Sequence, residues 1–92
     1  MRKMKVVVTV VGRDQVGIIA KVSTILADHQ VNIVDVNQNI VDGFFNMALI
    51  ADMSPSAIKL KELQTLLQAL GRTMGLQIKA QHEDIFRSMH QI

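Results

Sequence analysis

The chain has 92 residues, enough for one modest hydrophobic core and too few for two. It is 49% apolar, and polar residues break every apolar run before membrane-spanning length. Ten Lys and Arg against eight Asp and Glu leave only +2, with three Phe and neither Trp nor Tyr. The basic residues are scattered from Arg2, Lys3 and Lys5 to Lys59, Lys61, Lys79 and Arg87. Neither a phosphate-tracking stripe nor a base-stacking platform follows from that pattern. With no cysteine, disulfides, thiolate metal sites and thiol catalysis are excluded. Met1-Arg2-Lys3 runs straight into a strand pattern without a secretory apolar stretch, so a cytoplasmic location is expected.

Lys5 to Val11 reads as a strand by its β-branched content, stopping at Gly12. A helix is predicted just after Asp14, which is placed to cap it. Ile18, Ile19, Val22, Ile25 and Leu26 form its apolar stripe, with Lys21, Ser23, Thr24 and Asp28 facing away. Gly17 then falls in the first helical turn, where glycine costs ~1 kcal/mol relative to alanine. Such a residue suggests a backbone approached closely, by a ligand or by the sheet. Val31 to Val41 returns to a strand pattern, with Val34, Val36 and Ile40 on one face and Asp35, Asn37 and Asn39 on the other. Asp42-Gly43 signals a hairpin leading into a strand over Phe44 to Met53.

Ser54-Pro55 suggests the start of a second helix, with Ser54 as N-cap. Leu60, Leu63, Leu66, Leu67, Leu70 and Met74 mark its buried stripe, and Gly75 ends it. Leu76, Ile78 and Ala80 alternate with Gln77, Lys79 and Gln81 as a half-exposed strand. Ile85, Phe86, Met89 and Ile92 give a final short amphipathic helix. The order β-α-β-β-α-β closes as an α+β, ferredoxin-like sandwich, a four-stranded antiparallel sheet with two helices on one face. One domain over 1-92 is expected, with core 4-82 and the C-terminal helix at 83-92. The first and third strands are the most apolar and belong in the centre. Both are apolar on their second face too, which calls for a cover from the terminal helix or another subunit.

No catalytic constellation is visible. His29, His82 and His90 lack metal-ligand spacing, and Ser23, Ser54, Ser56 and Ser88 have no glycine elbow. His29 suits a helix C-terminus, His82 and His90 suit the surface, and Glu83-Asp84 suits a helix start. Gly12 to Gly17 matches neither nucleotide-binding glycine motif. No enzyme, cofactor or metal is expected.

Asp14 to Ile19, D-x-x-G-I-I between a strand and a helix, resembles the signature of ACT domains, small regulatory modules that bind amino acids. Val31-Asn32-Ile33 matches the V-N-I that these domains commonly carry at the second strand. With the βαββαβ order, the resemblance covers nearly the whole chain. It is strongest to short, free-standing ACT proteins and to the ACT segments of glycine-cleavage repressor-like regulators. The resemblance implies that Gly17 lets an effector reach the helix backbone, while Asp14 and Asn32 contact it. Gln15, Val16 and Ile18 complete the implied ligand-binding set. Val16 departs from the proline that many members carry there, so the first turn is less pre-shaped.

The chemistry is coherent: helix amides suit a carboxylate, and side-chain oxygens suit an ammonium. The implied function is a non-enzymatic sensor acting through a regulated protein partner. The resemblance also implies a homodimer or higher oligomer with sheets joined edge to edge, holding the small amino acid or related carboxylate at its interface. Asp14 as a plain cap, Gly17 as a packing glycine and Asn32 as a turn residue remain alternatives. A dimerisation module without ligand is the chief rival. An RNA-binding module shares the element order, and Asp42-Gly43-Phe44-Phe45 resembles its glycine-aromatic motif, but strand one lacks stacking aromatics.

Overall fold

The computed structural model describes residues 4–89. Its elements are β1 (Lys5–Arg13), α1 (Ile18–Asp28), β2 (Asn32–Val41), β3 (Phe44–Asp52), α2 (Leu60–Met74), β4 (Leu76–His82) and α3 (Glu83–Met89). The four strands form one antiparallel sheet in the order β2-β3-β1-β4. The expected ferredoxin-like α+β arrangement is therefore present, with the two most apolar strands in the centre.

Alternation of side chains along the strands places the core. Val6, Val8 and Val10 of β1 stand opposite Ala51, Leu49 and Met47 of β3. All six are buried on the face covered by α1 and α2, against Ile18, Val22, Leu26, Leu63 and Leu67. Each such side chain contributes roughly 1.5–3 kcal/mol on burial. Leu76, Ile78 and Ala80 of β4 are buried too, whereas Gln77 and Lys79 are exposed. Gly71 lets α2 meet the sheet: a Cβ there would lie 2.6 Å from the carbonyl oxygen of Leu76.

Five local expectations are corrected. β1 continues to Arg13, because Gly12 stays paired with Phe45 and Leu76. α1 begins at Ile18 rather than just after Asp14. The buried stripe is Ile18, Val22 and Leu26; Ile19, about 100° round the helix from Ile18, is 42% exposed, while Ile25 is half-buried against the core. β2 takes an extra residue between Ile33 and Asp35, a bulge that leaves Val34 without a partner on β3. Beyond it, Asp35, Asn37 and Asn39 share one face, as the pattern predicted. Val36 and Ile40 share the other, but α1 and α2 do not reach far enough to bury them, and they remain 45% and 53% exposed.

The fifth correction is at α2, which starts at Leu60 with Lys59 as its N-cap residue, not at Ser54-Pro55. Ser54 is engaged elsewhere. Its Oγ accepts the Met4 N–H at 3.0 Å, and its own N–H donates to Asp52 Oδ1 at 2.9 Å. Gly75 ends the helix as expected, in the left-handed region at φ 71°. Asp42 and Gly43 also have positive φ, 51° and 79°, as a two-residue hairpin of the primed type requires.

The second face of the sheet is partly covered by α3, which packs on β1 and β4. Val7 is only 5% exposed there, so the terminal helix supplies part of the anticipated cover. At the hairpin end the same face stays open, with Val11 at 45% and Phe44 at 53%. Ile92, the Met89 side chain and His90 lie outside the described residues.

Candidate functional site

The loop 14–17 joins the end of β1 to the start of α1. Two anchors hold it. The Asp14 N–H donates to the Gly43 carbonyl at 2.8 Å, tying the loop to the β2–β3 hairpin. Gln15 Nε2 donates to the Met74 carbonyl at 2.9 Å, satisfying one of the last carbonyls of α2. A weaker Gln15 contact reaches the Arg13 carbonyl at 3.3 Å. Gln15 is thus a brace between loop and helix, a role that no local pattern signals.

Gly17 is the N-cap residue of α1, not part of its first turn, and sits in the left-handed region at φ 91°. A Cβ there would meet only Lys21 Cε, at 3.9 Å. Close packing therefore does not account for the glycine; its backbone conformation does. No side chain caps α1 and no acidic residue occupies its first turn, so Asp14 is not the cap that its position suggested. The reason is distance along the chain: a cap must immediately precede the helix, and the chain turns for three more residues before α1 begins. Asp14 and Gln15 are exposed, and Val16 stands 99% exposed at the loop tip. Ile18 is 2% exposed and belongs to the core rather than to an open wall.

Asn32 is exposed at the other end of the molecule, opposite Asp52 on β3. Its neighbours around a shallow hollow include Gln30, Asp52 and Pro55. The whole of α1 separates it from Gly17, about 16 Å at 1.5 Å per residue. Within one chain the structure thus gathers Asp14, Gln15, Val16 and Gly17, but keeps Asn32 apart.

Other chemistry is sparse. Among the described residues no group of three or more His, Asp or Glu could hold a metal ion. The His29 carbonyl accepts the Ser56 hydroxyl, and His82 Nδ1 accepts the Asp84 N–H at 3.2 Å. His82 is half-buried rather than fully at the surface. The two hairpin phenylalanines divide: Phe44 lies on the open face and Phe45 in the core at 3% exposure. Only one of them is available for stacking, which removes most of the likeness to an RNA-binding sheet. Among the described residues no helix is long and apolar enough to cross a membrane.

Known proteins agree with this architecture. A UPF0237 protein of Methanosarcina acetivorans is 40% identical over 92 residues, covering 100% of both chains. An ACT domain protein from Streptococcus pneumoniae is 34% identical with a TM-score of 0.79, over 92% of this chain and 96% of that one. A structure described as a glycine cleavage system transcriptional repressor shares the fold, with a TM-score of 0.77 at 24% identity, over 89% of this chain and 47% of that one. The ACT domain model itself matches residues 4–81, from the first strand to the last and through both loops that flank α1. With strand order, hairpin and glycine-capped α1 all in place, the chain belongs to the ACT domain family.

Proposed function

We propose that this ACT domain is a regulatory sensor that binds a small amino acid, or a related small carboxylate, between two copies of the chain. The observation that carries this reading is the pair of half-sites at opposite ends of the edge strand β2. Loop 14–17 is pinned to the hairpin end, and Asn32 begins the strand at the far end. If two copies pair antiparallel along β2, the start of one strand meets the end of the other. Asn32 of one copy then faces the loop of its mate, completing the set of Asp14, Gln15, Val16, Gly17 and Asn32. The uncapped α1 amides suit the ligand carboxylate, and the Asp14 carboxylate and Asn32 amide oxygen suit its ammonium.

Calorimetry and thermal shift with the individual amino acids test the reading. One of them should give a saturable heat and raise the melting temperature with concentration. Asn32→Ala should weaken that binding by about 1–3 kcal/mol. A second reading is favoured by Val34, Val36, Ile40 and Val41, all more than 40% exposed along β2. These would bury on dimerisation with no ligand at all. A stable dimer that gives no heat with any amino acid decides for that dimerisation module.

A further inference from the structure

The open face of the sheet carries a second concavity, separate from loop 14–17. α3 lies over β1 and β4, and among the described residues no element covers the β2–β3 side of this face. Between helix and bare strands runs a trough of about 240 Å³. The strand register builds its floor: Ile50 stands between Val7 and Asp35, and Ala48 between Thr9 and Asn37. Val7, Ala48 and Ile50 line the bottom, with Phe86 of α3 on the side. The small Ala48 side chain gives the trough its depth. Asp35 and Asn37 form the β2 rim, and Glu83 and Arg87 the α3 rim.

Charge decides what fits. Arg87 Nη2 lies 3.4 Å from Glu83 Oε2, so these two charges offset one another. Asp35 is exposed, and among the described residues it forms no ion pair. The rim therefore carries a net negative charge, concentrated on the β2 side. An anionic ligand would meet two carboxylates, Asp35 and Glu83, against the one guanidinium of Arg87. We infer that the trough between α3 and β2 binds a small organic cation, an ammonium on a compact apolar body. The body lies on Val7, Ala48 and Ile50 against Phe86. The ammonium donates to the Asp35 carboxylate, with the Asn37 amide oxygen as second acceptor. At about 240 Å³ the space is smaller than a drug-sized site and suits one ring with a short amine arm. Pairing of a second copy along the β2 edge would extend the sheet sideways and leave this face accessible, so the inference does not rest on the amino-acid reading.

The test titrates the full chain with 2-phenylethylamine and with phenylacetate, followed by amide chemical shifts. The amine should give saturable shifts at residues 35–37, 48–50 and along α3, and phenylacetate at the same concentration should not. Asp35→Asn should weaken the amine about tenfold, the scale of one charge-assisted hydrogen bond. Ala48→Leu should fill the floor and abolish binding, whereas Lys61→Ala, on the exposed side of α2, should leave it unchanged. The inference is overturned if amine and acid bind alike, or if Asp35→Asn binds the amine as tightly as the unaltered chain. It is equally overturned if no shift approaches saturation by about 10 mM, a concentration ten times the millimolar scale.

Discussion

The two segments that lead into α1 and α2 begin alike and end differently. Each leaves a strand with a residue suited to capping, Asp14 or Ser54, and neither residue caps its helix. The segment before α2 is knit shut by side chains. Ser54 bonds to Met4 and Asp52, while Ser56 Oγ accepts the Ile58 N–H at 3.1 Å and donates to the His29 carbonyl. The segment before α1 is held from outside, by one backbone bond to Gly43 and one glutamine to Met74. Its Asp14 carboxylate and Val16 side chain point to solvent. The segment before α2 spends its serine hydroxyls on hydrogen bonds to the surrounding chain, whereas the segment before α1 leaves the Asp14 carboxylate exposed between its two anchors.

Substitutions can break that contrast, beginning with the largest effect. Ile18 and Ile19 are adjacent at the start of α1, yet they are 2% and 42% exposed. Ile18→Asp should unfold the chain by burying an unpaired carboxylate, and Ile19→Asp should leave it folded. Equal urea midpoints would mean that α1 starts elsewhere. Ser56→Ala should cost about 1–3 kcal/mol in the knit segment, since it strands the His29 carbonyl and the Ile58 N–H together. A change in urea midpoint too small to measure would show that segment to be as loose as its counterpart.

Gly17→Ala should cost about 1–2 kcal/mol from its left-handed backbone alone, with no steric clash to relieve. If thermal denaturation shows no loss, the positive φ is not what retains glycine there. Asp14→Ala should move stability by less than about 0.5 kcal/mol, because no cap is lost. A loss near the ~1 kcal/mol typical of a cap would return Asp14 to a capping role. That near-silence also makes Asp14→Ala a clean probe of ligand affinity.

Element order, central and edge strands, the Asp42-Gly43 turn and the Gly75 helix end were all legible from local composition. Each depends on alternation or on residues such as Gly43 and Gly75, whose conformational demands are local. The helix starts were not legible in the same way. Asp14 and Ser54 fit the capping pattern, but a hairpin carbonyl and the chain near Met4 claim those segments, and both partners are remote in sequence. The Gln15 brace spans from β1 to the end of α2, so no spacing rule could find it. Of the proposed site, the loop motif and Asn32 were readable as pieces. Their separation by the length of α1 emerged only from the fold, as did the trough that α3 makes on the open face.

The bulge at Val34 has a consequence for assembly. An open sheet with two outer strands, β2 and β4, contains the ingredients of an endless ribbon if unlike edges join. A β2-to-β4 contact would repeat from copy to copy without closing. The extra residue in β2 breaks the straight hydrogen-bonding line of that edge near its start, leaving the run from Asp35 to Val41 regular. In the twofold pairing proposed above, that regular run meets its own copy and both β2 edges are consumed at once. Deleting Val34 would restore a longer, flatter edge, and filament formation rather than loss of folding is the failure to expect of such a chain.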